Sequence, residues 1–201
     1  MSARNQILTR IRRTAADVPA PARVTPVQAQ PDDRVTQFVA QAEKVHATTS
    51  RLTSLDDLPK ALAEELRNRN LPAAIRTGAD PAFQRDWGTV EHSTGPGRIA
   101  EPATLTRAEF AMAETGSLVF ASGPDNPVTL NFLGETHFAV IEASDVKGGF
   151  EELFAAWRDR GLTPRTTNFI TGPSRSADIG QKLQLGAHGP VALHIFIVGD
   201  A

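Results

Sequence analysis

Two hydrophobic periods alternate along this chain. Leu58, Leu62 and Leu66 recur four residues apart, which predicts a helix from a cap at Ser54 to about Asn70. Val35, Phe38, Val39 and Ala42 predict another behind a cap at Asp32 or Asp33. Val146, Phe150, Leu153, Phe154 and Trp157 line the clearest helical face, from Asp145 to Arg160. A further helix is expected from Thr104 or Thr106 to Ala113, and a short one over "SADIGQKLQL". Between them lie short runs rich in β-branched residues: "VHATTS", "AAIRT", "SLVFAS", "HFAVIE", "TTNFIT" and "VALHIFIV". The stretch "NPVTLNFLGE" ahead of "HFAVIE" reads as part of a strand pair or as a loop. Helices alternating with apolar strands predict an α/β fold, with helices on both faces of a mostly parallel sheet.

The chain opens differently. Ile7, Leu8 and Ile11 form a narrow apolar stripe among arginines. A helix this short cannot bury its stripe alone, so it is expected to pack as an arm on the domain or on a second copy, a route to a homo-oligomer. Residues Val18–Pro31 hold four prolines without periodicity and read as a linker. Residues 1–31 are thus expected to be arm and linker, and residues 32–201 one compact domain.

Composition narrows the function. Apolar residues make up 40% of the 201 and charged residues 22%, which is ordinary for a globular protein. A net charge of -2 gives no electrostatic reason to bind nucleic acid or an anionic membrane. Cysteine is absent, which excludes disulfides, thiolate zinc sites and cysteine-ligated iron–sulfur clusters. No apolar run approaches the roughly 20 residues of a membrane span. The N-terminus is too polar for a signal-peptide core, so a cytoplasmic location is expected. No metal site is read, because the histidines show neither H-E-x-x-H nor a paired spacing. G-x-S-x-G, G-x-G-x-x-G and P-loop patterns are missing too.

Three short blocks could carry chemistry. In "TGPSRSAD", Gly172 permits a tight turn and Pro173 fixes the next φ. Ser174 and Ser176 offer hydroxyls, Arg175 offers a planar fork of donors, and Asp178 falls in the first turn of the expected helix. Such a loop suits a small anionic ligand, and in a parallel sheet it would lie beyond the carboxyl ends of the strands. It also reads as a simple capped turn, with Ser176 as N-cap. In "AETGSLVF", Glu114 is expected to end a helix, with Thr115, Gly116 and Ser117 turning into a strand. Its carboxylate there suits a general base, a nucleophile or a ligand contact, or simply a helix end with Gly116 at C′. In "GAHGP", His188 sits before the last strand, beside Gly189, and suits a ligand contact or proton transfer near neutral pH, or a plain turn. His194, inside an apolar strand, is read as a core histidine with satisfied hydrogen bonds.

In this order and spacing, "AETGSLVF", "FITGPSRSADI" and "GAHGPVALHIFIV" resemble the LutC/YkgG family, the lactate utilization protein C group with its LUD domain. The resemblance spans about Asp33 to Val198. It implies a three-layer α/β/α sandwich like that of the NagB/RpiA/CoA-transferase group. It also implies a part in L-lactate oxidation to pyruvate beside iron–sulfur partner proteins. Lacking cysteine, this chain would be the cluster-free subunit, and no cofactor of its own is named by the motifs. The candidate catalytic residues are Glu114 and His188; the candidate ligand contacts are Thr115, Gly116, Ser117, Gly172, Pro173, Ser174, Arg175, Ser176, Asp178 and Gly189. One position departs from the family pattern: Gly180 stands where an acidic residue, usually Glu, is expected after Ala-Asp-Ile. Two other readings stay open. One is a stand-alone enzyme of the CoA-transferase, sugar-phosphate isomerase or folate cyclo-ligase kind, using Glu114. The other is a purely structural interaction subunit.

Overall fold

The structure is a computed structural model that describes residues 3–15, 34–99, 101–176, 184–185 and 188–199. Its core is a six-stranded parallel sheet in the order β1-β12-β7-β4-β2-β3, formed by β1 (Thr48–Leu52), β2 (Ala74–Thr77), β3 (Glu91–Thr94), β4 (Glu101–Arg107), β7 (Gly134–Glu142) and β12 (Ala192–Val198). Strands buried on both faces read as continuous apolar runs, which is why "HFAVIE" and "VALHIFIV" lie at its centre. Phe138, Val140, Phe196 and Val198 face α3 (Leu58–Asn68), whose Leu58, Leu62 and Leu66 are fully buried against them. Ala139, Ile141, Ile195 and Ile197 face α2 (Arg34–Lys44) through its Val35, Phe38 and Ala42.

A second, four-stranded sheet shares the α2 side. It comprises β5 (Phe110–Met112), β6 (Ser117–Ala121), β8 (Val146–Lys147) and β9 (Thr167–Ile170), in the order β8-β5-β6-β9. Ala111, Leu118 and Phe120 turn inward, while Phe110, Met112 and Val119 meet Leu153 and Trp157 of α5 (Phe150–Asp159). The architecture is the expected α/β sandwich with a mostly parallel sheet. Among the described residues no helix is long and apolar enough to cross a membrane.

Several local expectations are corrected. Residues Thr104 to Ala113 hold no helix: β4 and β5 occupy them, because Ala103 and Leu105 are buried on one face of the large sheet and Phe110 and Met112 on one face of the small sheet. The helix expected from Asp145 begins at Phe150; Val146 and Lys147 instead pair with Ala111 and Met112, ahead of Gly148 and Gly149. "NPVTLNF" yields α4 (Val128–Phe132). Within "SADIGQKLQL", Ser176 belongs to β10 (Arg175–Ser176) and Gln184–Leu185 form β11, paired antiparallel. Residues 177–183, including Asp178 and Gly180, lie outside the described residues, as do Asp32 and Asp33. Ala3–Ala15 form α1, and with Ile7 59% and Ile11 57% exposed its apolar stripe is not covered by the chain's own described domain.

The end of α2 is a packing constraint. The backbone closes it with Ala47 N–H donating to Ala42 C=O (3.0 Å) and His46 N–H to Glu43 C=O (2.9 Å), the two bonds of a Schellman motif. Two glycines from elsewhere then press against it. A Cβ on Gly116 (φ +68°) would stand 2.4 Å from the Ala42 nitrogen, and one on Gly172 (φ +78°) 2.3 Å from the Val45 carbonyl oxygen.

Two histidines are sealed in the central sheet, on opposite faces. His194 is held between Thr48 Oγ1 and Ser50 Oγ, each at 2.7 Å, with Arg69 3.3 Å from Nδ1. Arg69 can only donate, so Nδ1 is an acceptor and the ring is neutral. Burial lowers the pKa of His194 to about 4, with Glu65 raising it and Arg69 lowering it further. It is a satisfied core histidine, as expected. His137 is 1% exposed, and burial alone lowers its pKa to about 3.

Two predictions follow from this packing. Gly116→Ala should cost about 2 kcal/mol or more, from a left-handed φ plus the clash with α2. Gly161→Ala, at φ +63° with open space around its Cβ, should cost about 1 kcal/mol. Equal losses in urea unfolding would contradict the contact with α2. The second concerns pH. The unfolded chain protonates its histidines near 6.5, whereas the folded chain resists until about 4 at His194 and about 3 at His137. Their contribution is complete above 6.5 and is lost as pH falls, by up to about 1.4 kcal/mol per pH unit for each histidine. A flat stability profile through that acid window would refute it.

Candidate functional site

Two of the three candidate blocks meet at one cavity of about 230 Å³. It opens beside the amino ends of β7 and β12, not beyond carboxyl ends as the sequence suggested. The reason is that β9, which leads into the Gly172 loop, belongs to the small sheet, where it runs antiparallel to β6. Thr171, Gly172, Pro173 and Ser174 form one wall, and His188, Gly189 and Pro190 form another. Ser174 N–H donates to the Pro190 carbonyl at 2.9 Å and staples the walls together. Gly189 sits so close that an added Cβ would lie 3.3 Å from Ser174 Cβ. Behind them runs a chain of hydroxyls: Thr115 Oγ1 to Ser117 Oγ and Ser117 Oγ to Thr171 Oγ1, both 2.7 Å. Thr115 and Ser117 thus support the Thr171 wall without lining the cavity.

The floor comes from residues the sequence did not single out. Asn131 lies in α4, which Thr104 Oγ1 anchors by donating to the Leu130 carbonyl at 2.7 Å. His137 lies on β7, opposite Leu193 of β12. Both side chains are 1% exposed. His137 Nε2 meets Thr106 Oγ1 at 2.7 Å, but its Nδ1 has no hydrogen-bond partner, and neither does either amide atom of Asn131. These are three of seven such buried atoms among the described residues, so polar groups left open concentrate here. A buried polar group left without a partner costs about 1–3 kcal/mol, so each of these atoms calls for one from outside the chain. Phe132 and Phe169 flank the opening, each partly exposed. Among the described residues, no Asp, Glu, Lys or Arg lines the cavity.

The remaining candidates stand apart from this floor. Glu114 is exposed in the turn between β5 and β6, not at a helix end; its N–H donates to the Gly148 carbonyl at 3.1 Å, and it does not line the cavity. Gly116 is buried against α2. Arg175 is exposed in β10, one residue past Ser174. His188 is exposed at the rim. Asn131 was legible only as a lone amide in an apolar stretch, and His137 only as a histidine opening a buried strand.

The LUD domain family matches residues 100–198, which contain the cavity floor and both walls. The chain is 35% identical over 193 residues to the lactate utilization protein C of Geobacillus sp. (strain WCH70), covering 84% of this chain and 79% of that protein. To the protein of the same description from Bacillus subtilis (strain 168) it is 34% identical over 193 residues, covering 84% and 80%. The crystal structure of a DUF162 family protein from Deinococcus radiodurans superposes with a TM-score of 0.64, covering 85% of this chain and 99% of that one, at 19% identity. That likeness establishes the fold. The extent of the sequence matches establishes the rest: the chain belongs to the lactate utilization protein C family and carries its LUD domain.

Proposed function

We propose that this chain is a cluster-free subunit of a system that oxidises L-lactate to pyruvate together with iron–sulfur partner proteins, and that it binds a small anionic metabolite or cofactor at the cavity. Relatives described as lactate utilization protein C support the first part. The lack of cysteine supports the cluster-free role, since a cluster held through thiolates would have to reside in a partner. The observation that carries the second part is the convergence of the Gly172 and His188 loops on one cavity, stapled by Ser174 and Pro190. An anionic group would sit at the mouth beside Ser174 and His188, and Arg175, the residue after Ser174 and exposed, would offer it two parallel donors. The mouth is the favourable place for charge, because the floor holds no cation among the described residues to pair with it. Glu114 lies away from the cavity, so the geometry gives no support to a reaction that begins on its carboxylate.

A deletion strain should fail to grow on L-lactate and should recover with the wild-type chain; normal growth without it would remove the lactate role. The binding claim is tested by thermal melts with L-lactate, pyruvate, coenzyme A and ATP. A ligand at one hundred times its dissociation constant stabilises by about 2.7 kcal/mol. Arg175→Ala should keep the cooperative melt, because the side chain is exposed, and should lose most of that shift. A shift unaffected by the substitution would take the anion away from Arg175.

A further inference from the structure

We infer that the cavity floor recognises an uncharged planar heteroaromatic ring bearing a lactam, imide or carboxamide edge. The inference deepens the proposed ligand site and rests on that reading only in sharing its cavity. It starts from what the open atoms require. Asn131 Oδ1 accepts only, so its partner must donate; Asn131 Nδ2 donates only, so its partner must accept. A ligand that satisfies both presents a donor and an acceptor side by side, as an amide edge does. His137 Nδ1 adds a third unpartnered position. Pyruvate has acceptors alone and leaves Oδ1 unmet. L-lactate can donate through its hydroxyl but would bury a carboxylate among neutral groups, a costly arrangement without a cation.

The walls specify the shape. Phe132 and Phe169, with Pro173 and Pro190, present flat apolar surfaces around the floor. Aromatic faces favour an offset or tilted ring over a flexible chain. A volume of about 230 Å³ is below the roughly 300–1,000 Å³ of sites that enclose a whole drug-sized ligand. The cavity thus takes one ring, with the remainder of the ligand, including any anionic group, continuing past the mouth.

The test titrates the full chain by saturation-transfer NMR and calorimetry with three uncharged rings: nicotinamide, lumichrome and thymine. Cyclohexanecarboxamide serves as a non-planar control, and pyruvate and inorganic phosphate as anions. At least one ring should bind, at least tenfold more tightly than cyclohexanecarboxamide. Asn131→Leu should weaken it tenfold or more while melting no lower than the wild type, because its two amide atoms bond nothing in the unliganded chain. Asn131→Ala serves as the second variant should Leu misfold, with the same loss expected. Binding of anions alone would overturn the inference and leave the proposed anion site standing. Ring binding with no anion binding would do the reverse. Ring affinity unchanged in both Asn131 variants would place the ring elsewhere and overturn the inference.

Discussion

β7 and β12 pair in parallel over seven residues, from Thr136 opposite Ala192 to Glu142 opposite Val198, with apolar side chains on both faces. The helices and the small sheet are arranged around this pair. α3 covers one face, and α2 with the small sheet covers the other. The register places His137 beside Leu193 near the amino ends, on the face turned toward the small sheet. The cavity lies there, between the amino ends of β7 and β12 and the loop that follows β9 of the small sheet.

The same burial produces two unlike histidines. His194 is enclosed by Thr48, Ser50 and Arg69, so each ring nitrogen has a partner and the group stiffens the α3 side of the core. His137 is equally buried, yet only one nitrogen is bonded. Burial keeps both neutral, but the ring of His137, a cavity-lining residue, retains one nitrogen without a partner, whereas the network around His194 is closed. Among the described residues the cavity is lined by neutral polar groups, with His188 exposed on one of its walls.

The sheet and its flanking helices were legible in the sequence because their periodicity reports burial directly. "VALHIFIV" has nowhere to go but the middle of a parallel sheet, and Leu58, Leu62 and Leu66 form a face that demands one. The region from Thr104 to Met112 misled because its apolar residues serve two sheets in succession, and a short strand pair can imitate helical spacing. The Gly172 and His188 loops were visible as glycine-bearing turns next to strands. Their meeting was not, since Ser174 and Pro190 are joined by a backbone hydrogen bond that leaves no trace in residue type.

By itself the sequence determined the α/β class, the central strands, the lack of any thiolate chemistry and the three blocks that carry the family resemblance, two of which hold the cavity's loops. The tertiary structure decided which residues those loops enclose. Asn131 and His137 stand out only once α4 is anchored by Thr104 and β7 is aligned with β12, because their open hydrogen-bonding atoms are defined by what surrounds them. Composition records that an amide or an imidazole is present. Only packing in three dimensions removes its water and withholds a partner.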